Sequence, residues 1–254
     1  MSIAIHVSIV SHGQAELASR LLEDLARWGA PDLTITVLSN VPEPAPLIPP
    51  TLASRTERLV NEARSGFGAN HNQVFRRCSA PYFCVLNPDV RLRSDPFPAL
   101  LQALADPAVA VAAPAAVDPR GRIQDNARRL PSPLGIAGKL FSAPAGPDYP
   151  RAGGTVSVDW VAGFFMLFRA EAFRRMGGFD ERYFLYYEDI DLCTRLRLAG
   201  QRIAWLPQVT VVHDARRRSH RSPRYLMWHL RSIARFFGSP VYRSARELAD
   251  AQRL

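Results

Sequence analysis

Residues 160–213 read WVAGFFMLFRAEAFRRMGGFDERYFLYYEDIDLCTRLRLAGQRIAWLPQVTVVH. The segment opens with nine residues that are apolar apart from one glycine, and this run stops at Arg169. Because nine residues are too few to span a bilayer, we interpret 160–168 as a buried strand. A short helix over 171–176 should follow, closed by a pair of glycines.

An aromatic loop at 183–187 leads directly into Glu188, Asp189 and Asp191. The leucines that follow recur at helical spacing up to Gly200, which puts the three carboxylates on the first turn of a predicted helix. Such acids can simply complement the helix dipole on a solvated turn. We favour a pocket, because the preceding aromatic and apolar residues would bury a carboxylate, and burial makes it a usable base.

The beginning of the chain predicts a strand–helix–strand unit, with strands over 3–10 and 33–38 and an amphipathic helix between them. In an open parallel sheet, ligands bind beyond the carboxyl ends of the strands. Ser11, His12 and Asn40 follow these two strands, so they are candidate nucleotide contacts. A single histidine at such a place is more often an ordinary loop residue.

Glycines and prolines mark the next segments. Five prolines in 41–50 predict an extended surface loop, and a short strand should follow at 59–61. Gly66 and Gly68 precede a predicted helix that runs to about Arg77. Glycines there allow a close backbone approach, and a helix N-terminus favours anionic groups, although such a pair is often only a turn.

Two further strand ends carry polar side chains. The predicted strand over 82–86 delivers Asn87 and Asp89 to the edge of the sheet, and the apolar run 209–212 ends at His213. An Asn-Pro-Asp sequence is a common turn, and a histidine at a strand end is usually structural. Either group could also serve a site at the carboxyl edge of the sheet.

Length and composition agree with a single globular domain. The chain has 254 residues, of which 47% are hydrophobic, enough to bury a full core. It shows no signal peptide and no twenty-residue apolar segment, so we expect a soluble or peripheral protein. Cys78, Cys84 and Cys193 lack metal-like spacing, and we expect core thiols in a reducing cytoplasm.

Positive charge is concentrated at the C-terminal end. Residues 214–254 hold ten arginines and three acids, which gives +7 of the total +9. They contain a predicted amphipathic helix over 222–238 with one apolar stripe: Leu226, Leu230, Ile233 and Phe237. This helix, preceded by the arginines of 216–221, could lie on anionic lipid, or its stripe could pack on the rest of the protein. The two interpretations are compatible.

The string GGFDExxFxYxEDxDLxxRxxxxG at 177–200 closely resembles the signature of inverting family 2 glycosyltransferases. The likeness is nearest to the bacterial branch that transfers rhamnose and related sugars to surface polysaccharides. Residues 3–214 follow the order of motifs in that family. The resemblance implies an α/β protein of the GT-A fold, with a mostly parallel central sheet flanked by helices. We expect a catalytic domain over 1–214 and a basic helical tail over 215–254.

The resemblance also implies the roles of the site residues. Asp189 would be the catalytic base, with Glu188 beside it, while Asp89 and His213 would hold Mn²⁺ or Mg²⁺ against the leaving diphosphate. An imidazole ligand slightly favours Mn²⁺. The implied donor-binding residues are Ser11, Asn40, Gly68, Asn72, Asn87 and Asp89. The implied acceptor-binding residues are Trp160, Gly163 and Asp191.

The chain departs from the family after the second strand. Members commonly carry an Asp-Asn-x-Ser sequence there, whose acid contacts the nucleotide, whereas residues 38–41 of this chain read LSNV. Asn87 likewise replaces the first acid of the Asp-x-Asp metal motif. A catalytically weak or inactive sugar-nucleotide-binding protein is therefore an alternative. The segment 114–154 borders the acceptor site in such enzymes, or is a plain solvated connection.

The resemblance implies a deoxythymidine-diphospho sugar such as dTDP-rhamnose as donor. It implies a saccharide on a polyprenyl diphosphate as acceptor, which would place the protein in the cytoplasm, peripheral to the inner face of the bacterial inner membrane. A sequence pI near 10.2 also suggests a nucleic-acid-binding protein. No recognised nucleic-acid motif accompanies this charge, so we expect no nucleic-acid partner.

Overall fold

The computed structural model describes residues 4–29, 32–136, 147–151, 153–214 and 223–251. The strands are β1 (Ile5–Ser11), β2 (Leu33–Ser39), β3 (Thr56–Val60), β4 (Tyr82–Leu86), β5 (Val90–Arg91), β6 (Val109–Val117), β7 (Ile123–Gln124), β8 (Ala127–Arg128), β9 (Val156–Val158), β10 (Trp160–Val161), β11 (Phe165–Arg169) and β12 (Arg202–His213). The helices are α1 (Ala15–Trp28), α2 (Phe67–Phe75), α3 (Phe97–Ala103), α4 (Ala170–Arg175), α5 (Glu188–Leu198), α6 (Pro223–Phe237) and α7 (Pro240–Ala251). A 3-10 helix covers Pro50–Arg55.

The central sheet has the order β3-β2-β1-β4-β11-β6-β12-β5, with β7 beside β6 and β9 beside β12. The pairs β3–β2, β2–β1, β1–β4 and β6–β12 are parallel, whereas β11 is antiparallel to both of its neighbours. Helices flank the sheet, so the expected mostly parallel α/β fold is confirmed. The carboxyl ends of β1 and β4 lie side by side, which brings the residues after them to one edge.

The predicted strand–helix–strand unit is present at the N-terminus. All seven residues of β1 are buried, and α1 packs its apolar side on the core. Asp24 on α1 is buried and accepts two hydrogen bonds from Arg91 and one from the Leu92 N–H. This contact fixes β5, and therefore the turn that carries Asp89, against the first helix.

The prediction of one continuous strand over 160–168 is wrong. The run is divided into β10, which pairs with β8 in a separate two-stranded sheet, and β11, which pairs with β4 in the main sheet. Between them, Gly163 N–H donates to the Asp189 carboxylate and Phe164 C=O accepts from Asn87 N–H. These two backbone groups do not take part in strand pairing, because the chain passes from one sheet to the other at this point. Apolar composition alone cannot reveal such a break.

The C-terminal helix packs differently from the predicted stripe. Its buried residues are Trp228, Ser232 and Phe236. In the predicted stripe, Leu226 and Leu230 are 50% and 56% exposed, whereas Ile233 and Phe237 are half-buried. The larger aromatic side chains occupy the core-facing side because they fill the space beside the aromatic loop. The arginine cluster at 216–221 lies outside the described residues.

Helix α7 was not predicted and packs against α5 and α6. Its Tyr242 is buried, with ring centroids 5.4 Å from Phe236 and 4.8 Å from Phe237. The boundary at residue 214 stays a prediction. None of the helices in the described ranges has the length and hydrophobicity needed to cross a membrane.

The three cysteines are buried thiols, as predicted. Cys84 and Cys193 are fully enclosed by the core, and burial raises the pKa of the Cys193 thiol to about 12. Cys78 is also buried and has its pKa raised by the same cause. These side chains therefore act as small apolar groups.

Candidate active site

Two adjoining cavities lie at the carboxyl edge of the sheet. The first has a volume of about 190 Å³, the second about 380 Å³, and both are lined by Phe67, Asn87, Leu185 and Tyr186. Asp89 lines the first cavity and Asp189 lines the second. The two acids, a hundred positions apart in the chain, therefore open onto neighbouring spaces that share a wall.

Asp189 is held by backbone donors at the start of α5. Its Oδ2 accepts from Gly163 N–H at 3.0 Å and its Oδ1 from Ile190 N–H at 2.8 Å. Burial raises the pKa of this carboxyl, while the two N–H groups and the more distant Arg128 oppose the shift. The side chain is partly exposed to the second cavity. This combination suits a general base, which must be positioned, accessible and willing to take a proton.

Glu188 differs from its neighbour. Its side chain is buried, and its Oε2 has no hydrogen-bond partner within the described part of the chain. Burial, and next the negative charge of Asp189, raise the pKa of Glu188 well above its ordinary value. Burial and the neighbouring charge therefore favour the protonated form of Glu188 more strongly than they favour that of Asp189.

The aromatic loop before α5 is strained. Tyr186 and Tyr187 both have φ of 71°, in the left-handed region that large side chains rarely adopt. Packing over-determines this turn, because Tyr187 is buried with its ring 5.4 Å from Phe236. The turn directs Tyr186 into the wall common to both cavities and places Asp189 on the second. Backbone strain of this kind is typical of functional sites.

The third acid of the motif, Asp191, faces elsewhere. It is buried and pairs with Arg195 at 2.7 Å, as its i,i+4 spacing predicts. Arg195 also donates to the carbonyls of Met176 and Gly178, so the pair ties α5 to the glycine turn. Asp191 lines neither of the two cavities. The structure thus places this predicted acceptor contact in the scaffold.

Asp89 lines the first cavity, and His213 lies beside Asp89 without lining the cavity itself. Asp89 Oδ1 lies 3.5 Å from His213 Nε2, and each side chain is 12% exposed. His213 stacks on Phe164, with ring centroids 4.2 Å apart. Gln124 donates to the His213 carbonyl through Nε2, so its Oε1 faces His213 Nδ1 at 3.0 Å and that nitrogen carries the proton. The lone pair of Nε2 is therefore turned toward Asp89.

These two groups fit a divalent cation. Asp89 Oδ1 is buried without a hydrogen-bond partner among the described residues, and it faces a second acceptor, which is the arrangement that a cation relieves. Within the described ranges, no group of three or more His, Cys, Asp or Glu side chains could hold a metal. A cation here would complete its shell with water and ligand oxygens, as Mg²⁺ commonly does.

Two predicted donor contacts are internal. Ser11 Oγ donates to Glu43 Oε2 at 2.8 Å, and Asn40 is buried, donating to Ser65 C=O and accepting from Asn61. Neither residue lines the two cavities, whereas His12, which contacts the Asn40 amide, lines the first. Ser11 and Asn40 therefore lie behind the residues that line the first cavity and help to hold them in place.

Gly68 and Asn72 are also directed into the protein. A Cβ on Gly68 would lie 2.6 Å from Phe179 Cβ, and Asn72 bonds both the N–H and the C=O of Phe179. Together they join α2 to the glycine turn at 177–178. The pattern correctly predicts a close approach at Gly68. It does not distinguish approach to a ligand from approach to another part of the chain.

The remaining predicted residues line the cavities. Asn87 borders both, while Trp160 and Gly163 border the second together with Glu188 and Asp189. Sequence reasoning missed several lining residues that come from distant segments. These are Gln14, Arg64 and Tyr225 in the first cavity, and Asp125, Arg128 and His229 in the second.

The basic lining residues are held in place. The Arg64 guanidinium lies 5.7 Å from the Phe184 ring and 5.1 Å from the Trp228 ring, between the aromatic loop and α6. Arg128 pairs with Asp125 at 2.9 Å and lies 6.0 Å from the Trp160 ring. In the sequence, Arg128 lies in the segment 114–154, which borders the acceptor site in the family that the chain resembles. Nothing local marks Arg64.

Comparison with known proteins shows the family of this chain. The protein family described as Glycosyltransferase like family 2 matches residues 5–233. The chain is 29% identical over 247 residues to Rhamnosyltransferase WbbL of Escherichia coli K12, covering 91% of this chain and 92% of that protein. It is 36% identical over 152 residues to N-acetylglucosaminyl-diphospho-decaprenol L-rhamnosyltransferase of Mycobacterium tuberculosis, covering 55% of this chain but only 48% of that protein.

A solved structure with the same fold is the mannosyltransferase PcManGT from Pyrobaculum calidifontis, in complex with GDP-Man and Mn²⁺. It superposes with a TM-score of 0.58 at 15% identity, covering 100% of this chain and 76% of the other. Because the family match covers residues 5–233 and the structure superposes on that of PcManGT, this chain belongs to glycosyltransferase family 2 and has the GT-A fold.

Proposed function

We propose that this chain transfers a sugar, with inversion, from a nucleotide-diphospho donor to a hydroxyl of a saccharide acceptor. The observation that carries the proposal is that Asp189 lines the second cavity while Asp89, with His213 beside it, lines the first, across a shared wall. The donor would occupy the first cavity and the acceptor the second. A base and a group that stabilises the leaving diphosphate are then on opposite sides of the reacting carbon.

The reaction follows from this arrangement. An acceptor hydroxyl placed against Asp189 forms a bond to the anomeric carbon from the face opposite the diphosphate. The sugar–phosphate bond breaks with its electron pair going to the diphosphate, and the hydroxyl proton goes to Asp189. Burial raises the pKa of Asp189, which increases its capacity to accept that proton. Gly163 N–H and Ile190 N–H keep the carboxylate aimed during the transfer.

Asp89 Oδ1 and His213 Nε2 would hold Mn²⁺ or Mg²⁺. The cation supplies positive charge that offsets the charge growing on the leaving diphosphate. Two observations support this role: the buried Asp89 oxygen without a hydrogen bond, and the Mn²⁺ that accompanies GDP-Man in the PcManGT complex. The imidazole ligand slightly favours Mn²⁺ over Mg²⁺.

For the donor we favour dTDP-rhamnose, and for the acceptor a saccharide on a polyprenyl diphosphate. The names of the E. coli and M. tuberculosis relatives support rhamnose, and that of the second supports a diphospho-decaprenol acceptor. Arg128 and Trp160 in the second cavity suit such an acceptor, because an arginine can pair with phosphate and an indole can cover a sugar face. The protein would then act in the cytoplasm at the inner face of a bacterial inner membrane, in surface polysaccharide synthesis.

A transfer assay tests this proposal. The protein is incubated with Mn²⁺, a panel of nucleotide sugars and a polyprenyl-diphosphate-linked N-acetylhexosamine, and the product is examined by NMR for the configuration of the new anomeric bond. We expect transfer with inversion, fastest with dTDP-rhamnose. Retention of configuration would refute the single-displacement mechanism, and absence of transfer with every donor would refute the proposed activity.

A further inference from the structure

Helix α6 has two faces of different character. The face that packs on the protein consists of Trp228, Ser232 and Phe236, four residues apart. Ser232 Oγ donates to Leu185 C=O at 2.9 Å, and the Trp228 ring lies 4.5 Å from that of Phe184. These contacts with the aromatic loop fix the rotation of the helix about its own axis.

The opposite face is apolar and open to solvent. Leu226, Met227 and Leu230 are 50%, 44% and 56% exposed, and Ala234, one turn beyond Leu230, is exposed as well. A surface helix normally turns polar residues outward. A row of exposed large aliphatic side chains on a helix that is already packed through its other face indicates an interaction surface.

Positive charge borders this row. Arg224, Arg231 and Arg235 are exposed on α6, and the helix sequence contains no acid. The guanidinium groups of Arg224 and Arg235 lie over the rings of Trp228 and Tyr183, at 4.8 Å and 5.9 Å, which keeps them at the edge of the apolar row. An apolar row edged with arginines matches a lipid surface with anionic headgroups, which offers both hydrocarbon and phosphate.

The inner side of the same helix belongs to the candidate active site. Tyr225 lines the first cavity and His229 lines the second. An α-helix with its side chains is only about 10 Å across. A surface that contacts the outer face of α6 would therefore lie about one helix diameter from both cavities.

We propose that Leu226, Met227 and Leu230 dock α6 on an anionic lipid bilayer, with the neighbouring arginines at the level of the lipid phosphates. This inference deepens the proposed function, because it brings the second cavity to the surface in which a lipid-linked acceptor resides. Docking requires only the outer face of the helix, so it can be tested separately from catalysis.

The test is sedimentation of the full chain with phosphatidylcholine vesicles prepared with or without phosphatidylglycerol. The combined variant Leu226→Gln/Met227→Gln/Leu230→Gln should lower the partition coefficient on anionic vesicles about tenfold or more. The matched control replaces three exposed apolar residues of other elements, Leu47→Gln/Val60→Gln/Ile123→Gln, and should bind as wild type does. A second variant, Arg224→Gln/Arg231→Gln, should lose the preference for anionic over neutral vesicles.

Donor binding in the presence of Mn²⁺ is measured by thermal shift on the same proteins, and we expect every variant to retain it. The docking proposal would be overturned if the glutamine variant bound vesicles as well as the wild type does, or if the wild type did not bind them. In either case, intact donor binding would leave the proposed function standing. Equal wild-type binding to neutral vesicles would overturn the anionic preference. A wild-type dimer that the glutamine variant abolishes, without vesicle binding, would identify a second copy as the occupant and overturn the inference.

Discussion

The carboxylate of Asp189 accepts the backbone N–H of Gly163 at 3.0 Å. This hydrogen bond connects the first turn of α5 with the break between β10 and β11, where the chain passes from one sheet to the other. The position of the proposed base therefore depends on the irregularity of a segment whose composition predicts a regular strand.

The Gly163→Ala variant should lose activity without losing the fold. A Cβ at this position would lie 3.3 Å from the Phe67 ring, so this ring, which lines both cavities, would have to move by a few tenths of an ångström, whereas the 3.5 Å to Asp189 Cβ is an ordinary contact. We expect the transfer rate to fall about tenfold or more, because the displaced ring borders the spaces proposed for donor and acceptor, and small misplacements of the reactants are costly. Steady-state kinetics and donor titration measure this. Gly154→Ala is the control, because nothing lies within 4 Å of its added Cβ, and equal loss in both variants would contradict the prediction.

Glu188 should make the folded protein less stable as the pH rises. Its pKa in the fold is raised, so folded and unfolded chains are both protonated at low pH, and only the unfolded chain ionises as the pH passes about 4.5. The contribution of protonated Glu188 to the stability of the fold is present in full below that pH. It is lost as the pH rises toward the pKa of Glu188 in the folded protein. Unfolding midpoints of the wild type and of Glu188→Gln are measured across this pH range. As the pH rises, the midpoint of the wild type should fall relative to that of the variant. Parallel curves would show that Glu188 is ionised in the fold.

The Asp89–His213 pair should control metal-dependent donor binding. Calorimetric titration of the donor should show tighter binding with Mn²⁺ than without it in the wild type. We expect Asp89→Ala to abolish this difference and His213→Ala to weaken it, since each removes one of two protein ligands. Glu16→Gln, on the exposed side of α1, is the control for loss of a carboxylate elsewhere. An undiminished effect of Mn²⁺ in Asp89→Ala would refute the metal site.

Arg195 should matter for stability more than for chemistry. Its buried partner Asp191 would be left without a counter-charge in Arg195→Leu, and two carbonyls of the glycine turn would lose their donor. We expect the free energy of unfolding to fall by about 3 kcal/mol. Arg182→Leu breaks the exposed pair with Asp180 and should cost less than about 1 kcal/mol. Chemical denaturation of both variants checks this, and similar losses would show that the Asp191 pair has no special structural weight.

Much of the fold could be predicted because its signals are local. The strand at 82–86 has the predicted bounds, and the helix after the acidic trio ends within two residues of the expected glycine. These elements are short, strongly patterned and bounded by glycine or proline. The break at Gly163 was missed because it depends on pairing with β8 and on a hydrogen bond to Asp189, both of which are distant in sequence.

The candidate site was partly predictable for a related reason. Three residues chosen by motif position line the two adjoining cavities, Asp89 the first, Asp189 the second and Asn87 both, while their roles stay predictions. Motif position does not reveal that Asn40 and Asn72 use their amides on the protein itself. A polar residue at a strand end or helix start can hold a ligand or hold its own loop, and only the tertiary contacts distinguish the two. The lining residues from α6 are missed because a helix far along the chain returns to the site.

The most direct test of the proposed base compares donor binding and sugar transfer in Asp189→Asn. The substitution keeps the shape of the side chain and can still accept the Gly163 N–H through its carbonyl oxygen, but it removes the capacity to take a proton. We predict donor affinity within about twofold of wild type and a transfer rate lower by about a thousandfold. Transfer within a fewfold of wild type, in a protein that binds donor normally, would contradict the account.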